Sequence, residues 1–359
     1  MKKPLLVLAF VSPQDLLDLP LKQWDLLIRQ ARRANMLAKL AFFLEIKGVF
    51  QSIPEQPKKH LLSAKIHAQR FALSIEWETV CIVKALKNVP VKLILLKGAA
   101  YYALQNSAAS GRVFSDVDIL VPEDSLLDVE RTLAKAGWLN TSFDPYEQQY
   151  YRKWMHEIPP LRNLKRQTSL DVHHNILPKT SMFCPDASLI INNSIQLKES
   201  NVWVLSPEDR ILHSATHLFH EGELENGFRD LSDLDFLLRE MTECNISWEQ
   251  LLHRSVDLKQ QLPLYYALRF CRIIFNTYIP DHIQREVDKS VSSILKREVM
   301  DFLFLRALMP DHKSCDDRWT GFARWLLYIR SHWLRMPLHL LVPHLLRKSW
   351  VRITGKETH

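Results

Sequence analysis

Glycine is scarce in this chain, with 8 among 359 residues. A fold made of many tight turns and β-hairpins uses glycine at many of them, so the shortage argues against an all-β protein. Apolar residues instead recur at three- and four-residue spacing over long stretches, which is the pattern of amphipathic helices. We therefore expect a mostly helical fold.

Cysteine is also rare, and no two cysteines form a C-x-x-C pair. This disfavours a disulfide framework or a C-x-x-C zinc site, and it is typical of a cytoplasmic protein with reduced thiols. No uninterrupted apolar run is long enough to cross a bilayer, so no transmembrane segment is predicted. The five cysteines are Cys81, Cys184, Cys244, Cys271 and Cys315.

Acidic residues are almost missing from the last part of the chain. Residues 318–359 carry eight lysines and arginines and one acidic residue, Glu357, which accounts for the whole net charge of +7. Such a basic tail contacts an anionic surface, such as nucleic acid, lipid or phosphate, or it forms the solvated face of a helix. The sequence leaves these alternatives open.

The distribution of apolar residues divides the chain into three regions. Residues 1–90 predict an N-terminal helical layer, with a long helix over 58–88. Residues 91–205 predict a core with a small mixed sheet, and residues 206–359 predict a C-terminal helical domain that ends in the basic tail. The fold class is therefore α+β. The residues expected on or near the buried side of the long helix are Ile66, Phe71, Leu73, Trp77, Val80, Val83 and Leu86.

The middle region contains the β-strands. Residues 91–96 form a short, almost continuous apolar run, which predicts a strand buried on both faces. A short helix is expected over 99–105 and a second strand over 113–121. Residues 156–161 and 168–177 flank a charged turn and predict a hairpin.

The second strand carries two acids in an apolar surrounding. Asp116 and Asp118 are two positions apart, so their carboxylates lie on the same face. Burying them is costly unless a cation compensates their charge, and Mg²⁺ prefers carboxylate ligands. Asp171 is the best candidate for a third carboxylate on a neighbouring strand, which would complete a two-metal site. An exposed edge or a turn-proximal acid pair is the competing interpretation.

The residues around this strand suit a phosphate group. Gly98 permits a close approach of the backbone, and Lys97 and Arg112 supply positive charge. His173 shares a face with Asp171 by strand alternation. It would contact the metal, the phosphate or an acceptor, or it would be a neutral histidine hydrogen-bonded at the edge of the site.

These segments resemble the DNA polymerase β-like nucleotidyltransferase superfamily. Within it they resemble a little-characterised bacterial family of uncharacterised nucleotidyltransferases, related to the minimal nucleotidyltransferases and to abortive-infection toxin enzymes. The resemblance rests on L-L-K-G at residues 95–98, R-x-x-S-D-x-D-I-L-V at 112–121 and L-D-V-H at 170–173, and it extends over most of the chain.

The resemblance implies an enzyme that moves a nucleoside monophosphate from an NTP to an acceptor hydroxyl and releases pyrophosphate. It implies two Mg²⁺ ions, with Mn²⁺ as the alternative, held by the catalytic residues Asp116, Asp118 and Asp171. The acceptor would be a protein, an RNA or a small molecule. The residues implied to bind the nucleotide are Lys97, Gly98, Arg112, Ser115 and His173.

The chain departs from the superfamily pattern at one position. The superfamily has Gly-Ser or Gly-Gly where this chain has Gly98-Ala99, so a hydroxyl that would contact phosphate is missing. The alternative hypothesis is therefore a catalytically weak or inactive nucleotide-binding or regulatory module with the same fold.

Two further groups of polar residues lie in the C-terminal region. A histidine-bearing helix is expected to line the active-site cleft or to be satisfied within the core, because no H-E-x-x-H motif accompanies it. An Arg-Asp-x-x-Asp segment favours an ion-pair network over a direct nucleotide contact. The residues concerned are His213, His217, His220, Arg229, Asp230 and Asp233.

Overall fold

The computed structural model of the protein describes residues 3–341, apart from residues 115, 142–143, 199, 221, 292 and 338–339. Within these residues, fifteen α-helices surround one mixed sheet of seven strands, which confirms the α+β class. No described helix is both long enough and apolar enough to cross a membrane.

The N-terminal region is helical, as predicted. The apolar pattern that runs continuously through residues 24–44 is divided between two helices, because the chain turns at Asn35, whose φ is 55°. The long helix begins three residues before its predicted start, at Glu55. The four helices are α1 (Leu5–Val11), α2 (Leu21–Arg33), α3 (Leu37–Ile46) and α4 (Glu55–Leu86).

The predicted buried side of α4 is wrong for most of its length. Leu73 and Trp77 are 62% and 61% exposed, and Ile66 and Val80 are exposed as well. The helix carries two apolar stripes, and either one satisfies the helical period. The sheet and the neighbouring helices cover the other stripe, which consists of Leu61, Ala68, Ile75 and Ile82. Leu86, at the end of the helix, is buried as predicted.

The seven strands form the sheet in the order β3-β4-β5-β2-β1-β7-β6. Strands β1 and β2 were predicted, and β3 lies where the sequence also favours a short strand, over 138–143, of which 142–143 lie outside the described residues. The second arm of the predicted hairpin contains β5, but β4 begins at the last residue of the predicted first arm and lies mostly in the predicted turn. Strands β6 and β7 were not predicted. The strands are β1 (Leu93–Leu95), β2 (Asp116–Leu120), β3 (Trp138–Asn140), β4 (Leu161–Asn163), β5 (Ser169–His173), β6 (Ile195–Gln196) and β7 (Val202–Val204). The helices between them are α5 (Lys97–Ala103), α6 (Leu126–Lys135), α7 (Pro145–Trp154) and α8 (Ala187–Asn192).

Strand β2 occupies the middle of the sheet. It pairs antiparallel with β1 and parallel with β5. Its alternate residues Val117 and Ile119 pack against apolar side chains of α4 and α6. Leu120 belongs to the core on the opposite side, with the C-terminal helices. Because residues two apart share a face, Asp116 and Asp118 project on that opposite side, toward the C-terminal helices.

In the C-terminal region, the residues that the structure describes form helices and connecting loops without a strand, as predicted. These helices share one hydrophobic core with α1, α2 and α3, so a single core extends over more than one of the three predicted regions. The limits of these regions stay a prediction. The helices are α9 (Pro207–His220), α10 (Gly227–Glu243), α11 (Trp248–Asp257), α12 (Gln261–Phe275), α13 (Asp281–Asp288), α14 (Ile294–Ala307) and α15 (Thr320–Arg335).

The basic tail lies only partly within the described residues, which end at 341. In the described part, Arg330 donates a hydrogen bond to the carbonyl of Phe219, and Arg324 forms ion pairs with Asp311 and Asp316. These guanidinium groups therefore interact with the protein itself. Contact of the tail with an anionic surface stays a prediction.

Candidate active site at the centre of the sheet

The parallel pairing of β2 and β5 brings two of the predicted metal ligands side by side. The register places Asp118 directly opposite Asp171, and Asp116 opposite Ser169. Paired residues on neighbouring strands project from the same face of the sheet. The structure thus unites Asp116, Asp118 and Asp171, which we call the carboxylate triad.

The negative charge of Asp118 is balanced by two neighbouring side chains, those of Lys97 and His173. Its Oδ1 accepts a hydrogen bond from Lys97 Nζ at 2.8 Å and lies 3.1 Å from His173 Nε2. Although Asp118 is only 5% exposed and burial alone would raise its pKa, Lys97 and His173 hold that pKa far below its usual range. Asp118 is therefore ionised, and Lys97 acts as its counter-ion.

Lys97 has an uncommon backbone conformation. Its φ is 43°, in the left-handed region that non-glycine residues rarely occupy. Burial favours the neutral amine, but Asp118 outweighs this effect and raises the pKa of Lys97 above its ordinary value. The strained residue thus presents an ammonium group at the start of α5, beside the triad.

Asp171 is the uncompensated member of the triad. Its Oδ1 is buried and makes no hydrogen bond to any described residue. Burial, followed by the negative charges of Asp118 and Glu157, raises the pKa of Asp171 to about 7. A carboxylate in this state lacks a cationic partner and titrates near neutral pH.

Gly98 is required by packing. A Cβ atom at this position would lie 2.4 Å from two ring carbons of Phe114 and 3.3 Å from Arg112 Nε. The neighbouring Ala99 is 3% exposed and belongs to the hydrophobic core on the α4 side of the sheet. Its methyl group therefore packs in the core, so the side chain at this position is directed away from the triad.

A cavity of about 140 Å³ opens next to two members of the triad, Asp116 and Asp118, and Asp171 does not line it. Lys97, Asp116 and Asp118 line it from the sheet side, and His217 of α9 and Arg229 of α10 line it from the helical side. His217 thus lines the cleft, which is one of the two alternatives expected for this helix, whereas His213 and His220 are buried.

Arg112 contacts acidic residues of α10. Its guanidinium group forms an ion pair with Asp233 and lies 3.7 Å from Asp230 Oδ1. Asp230 also pairs with Arg229 at 2.9 Å, and Asp233 pairs with the buried Lys39. The predicted ion-pair network of α10 is therefore present, and it includes Arg112, which was expected to bind the nucleotide. Ser115 lies outside the described residues.

Two neighbours of the triad, His156 and Glu157, were not among the predicted site residues. Glu157 forms an antiparallel bridge with His173, and its Oε2 lies 3.3 Å from His173 Nδ1. The ring of His156 lies 5.3 Å from that of His173, centroid to centroid. The one available signal was an adjacent His-Glu pair at the start of the predicted hairpin.

Comparison with known proteins identifies the class to which this fold and site belong. Residues 20–276 match the model of a family described as uncharacterised nucleotidyltransferase. The chain therefore belongs to this nucleotidyltransferase family. None of the curated proteins matches the chain.

Proposed function

We propose that the protein transfers a nucleoside monophosphate from an NTP to an acceptor hydroxyl, with release of pyrophosphate, at the carboxylate triad. One observation carries the proposal: β2 and β5 pair Asp118 directly with Asp171 in a chain that belongs to a nucleotidyltransferase family. Three carboxylates on one face of neighbouring strands form the oxygen donor set that a hard divalent cation prefers.

The triad fits Mg²⁺ or Mn²⁺. The buried Oδ1 of Asp171 has no hydrogen-bond partner among the described residues, and the charge of Asp118 beside it disfavours its ionisation. A cation would remove both penalties. Asp116, Asp118 and Asp171 would hold the ions. When bound, the ions would stabilise the charge that develops on the transferring phosphate.

The protein's own groups would position the substrate and move the proton. Lys97 and Arg229 line the cavity and would place positive charge against the phosphates. Asp171, whose Oδ1 makes no hydrogen bond to any described residue, would also accept the proton of the attacking hydroxyl. Arg112 would orient α10 through Asp233 rather than bind phosphate with its full guanidinium group.

The inactive-module alternative draws less support from the structure. It rests on Ala99, whose side chain packs in the core on the α4 side of the sheet. A hydroxyl at that position would therefore not face the cavity in this arrangement. The triad, by contrast, keeps all three carboxylates.

Transfer of label from NTPs tests the proposal. Purified protein is incubated with cell lysate, Mg²⁺ or Mn²⁺ and each of the four NTPs, labelled at the α- or the γ-phosphate. We expect chelator-sensitive incorporation of the α-label only, since the γ-phosphate leaves in pyrophosphate. Digestion of the labelled product with protease or ribonuclease identifies the acceptor as protein, RNA or small molecule.

Matched variants make the test specific. Asp118→Asn and Asp171→Asn should abolish incorporation, whereas Asp128→Asn, in the same region but on an exposed side of α6, should retain it. Circular dichroism and thermal melting exclude loss of the fold. Calorimetric binding of Mg²⁺–NTP without α-label transfer would overturn the proposal in favour of the inactive module, and incorporation of the γ-label would indicate phosphoryl transfer instead.

A further inference from the structure

Three side chains with metal-ligand chemistry meet beside the carboxylate triad: His156, Glu157 and His173. One ring nitrogen of each histidine and one carboxylate oxygen of Glu157 lie within 4.8 Å of one another. We call this group the His156–Glu157–His173 cluster. It differs from the triad in its chemistry, because two of its three donors are imidazole nitrogens.

The spacing in the cluster is close to that around a bound ion. Zn²⁺ binds histidine nitrogen and carboxylate oxygen at about 2.0–2.2 Å, so two ligands of a tetrahedral ion are about 3.4 Å apart. His173 Nδ1 and Glu157 Oε2 are 3.3 Å apart. These two atoms already have the separation of ligands to one metal, and His156 would complete the set by a small approach of its ring.

Nδ1 of His156 and Nδ1 of His173 are both buried, and neither forms a hydrogen bond within the described part of the chain. His173 Nδ1 does have an ion-pair contact with Glu157 Oε2 at 3.3 Å, so His156 Nδ1 is the nitrogen left without a polar contact there. His173 as a whole is 3% exposed. Unsatisfied buried nitrogens destabilise a fold, and each needs an explanation such as a missing ion.

The backbone holds the three residues in place. Ile158 donates its N–H to the carbonyl of Val172 at 3.0 Å, and His174 donates to the carbonyl of His156 at 2.8 Å. Glu157 and His173 form a β-bridge between these two bonds. The ligands therefore sit on a rigid backbone, which lowers the conformational cost of binding an ion.

The second ring nitrogen of His173 has the partner expected for a metal ligand. Its Nε2 lies 3.1 Å from Asp118 Oδ1. A metal-bound histidine usually donates its other N–H to a carboxylate or carbonyl, which fixes the tautomer and the ring orientation. With Nδ1 on an ion, Nε2–H would donate to Asp118, so the cluster would be joined to the triad through His173.

Acidic groups lie on both sides of the His173 ring. Its Nε2 lies beside Asp118 and its Nδ1 beside Glu157. Lys97, which acts on the same ring, is already paired with Asp118. Glu157 is therefore the carboxylate that would balance the charge of an ion at the cluster.

We propose that His156, Glu157 and His173 bind one borderline transition-metal ion, Zn²⁺ before the others, at a site separate from the Mg²⁺ or Mn²⁺ site of the triad. Imidazole nitrogens suit Zn²⁺, whereas Mg²⁺ demands oxygen ligands. Two histidines and one glutamate supply three ligands and leave a fourth position open for water or a substrate atom. The proposal does not depend on nucleotidyl transfer, because metal binding is measured directly.

Metal analysis of the whole protein tests this site. Chelator-treated protein is dialysed against Zn²⁺ in excess Mg²⁺, and the retained metal is counted by mass spectrometry. Affinity is then measured by competition with a chromophoric chelator. We expect about one Zn²⁺ per chain, and His156→Gln and Glu157→Gln should each weaken it by more than tenfold, since loss of even an outer-shell partner costs about 10–100-fold.

Matched variants separate the possible outcomes. His282→Gln and Glu249→Gln alter a His–Glu pair of similar geometry that is about 60% exposed, and they should leave Zn²⁺ affinity unchanged. Circular dichroism confirms that each variant is folded, and Glu157→Gln replaces His156→Gln if the latter unfolds. The proposal is overturned if the wild type retains no Zn²⁺, or if Asp116→Asn abolishes binding while Glu157→Gln does not.

Discussion

The ion-pair network between α3 and α10 permits a quantitative stability prediction. Asp233 is 1% exposed and contacts two cations, the equally buried Lys39 and the guanidinium group of Arg112. Asp233→Asn keeps the shape of the side chain and removes its charge. Breaking a buried pair leaves an uncompensated charge and costs about 3–5 kcal/mol. Here one carboxylate serves two cations, so we expect a loss in the upper half of that range.

Deprotonation of Lys39 would reduce the loss of stability in the Asp233→Asn variant. Burial, followed by the charges of Arg112 and Arg229, already lowers the pKa of Lys39. Without Asp233 the folded variant would release the Lys39 proton, whereas the unfolded chain holds it up to about pH 10. The unfolded state then binds more protons, so the stability of the variant relative to the wild type rises with pH.

Urea unfolding at several pH values between about 6.5 and 9, followed by circular dichroism, measures both effects. Asp25→Asn is the control, since its pair with Arg29 is exposed on both sides and is worth at most about 1 kcal/mol. The Lys39→Met/Asp233→Asn double variant should recover part of the loss, because one buried cation is removed with the anion. A loss below about 1 kcal/mol for Asp233→Asn at neutral pH would show that the carboxylate of Asp233 does not stabilise the fold by pairing with Lys39 and Arg112.

Two further predictions concern packing and pH. Gly98→Ala should destabilise the fold by about 1–3 kcal/mol in urea unfolding, because the new Cβ would overlap the ring of Phe114. Phe114→Leu in the same chain should relieve part of this loss. An unchanged urea midpoint for Gly98→Ala would contradict this packing. Burial, followed by Arg330, lowers the pKa of His220 to about 3. Below about pH 6.5 the folded state therefore binds fewer protons than the unfolded state. His220 should for this reason lower the free energy of unfolding by about 2 kcal/mol as the pH falls from 7 to 5. His220→Gln should show a smaller loss over that interval, and equal losses would exclude His220 as the cause.

The sequence predicted what local periodicity determines. Strand alternation placed Asp116 and Asp118 on one face, and the apolar run before Lys97 gave the strand that pairs with theirs. It also placed Asp171 and His173 together, as they are in β5. The partner of β2 was harder to predict, because parallel pairing is nonlocal and its register depends on the whole sheet.

The errors have physical causes. On α4 two apolar stripes satisfy the same helical period, so only tertiary packing decides that Leu73 is exposed and Ile75 buried. The ion pair between Lys97 and Asp118 was not predicted, because it depends on how the start of α5 lies against β2; the role of Lys97 toward phosphate stays a prediction. Glu157 was missed because its approach to His173 depends on the register of a single bridge.

The central claim is that Asp116, Asp118 and Asp171 hold divalent cations against a nucleoside triphosphate. Crystals grown with Mn²⁺ and a non-hydrolysable NTP analogue test it most directly, because the anomalous signal of Mn²⁺ locates the ion. We expect an anomalous peak in contact with Asp118 and Asp171, with Lys97 Nζ moved from Asp118 toward the phosphates. A nucleotide bound elsewhere, or Mn²⁺ absent from the triad while Lys97 stays paired with Asp118, would contradict it.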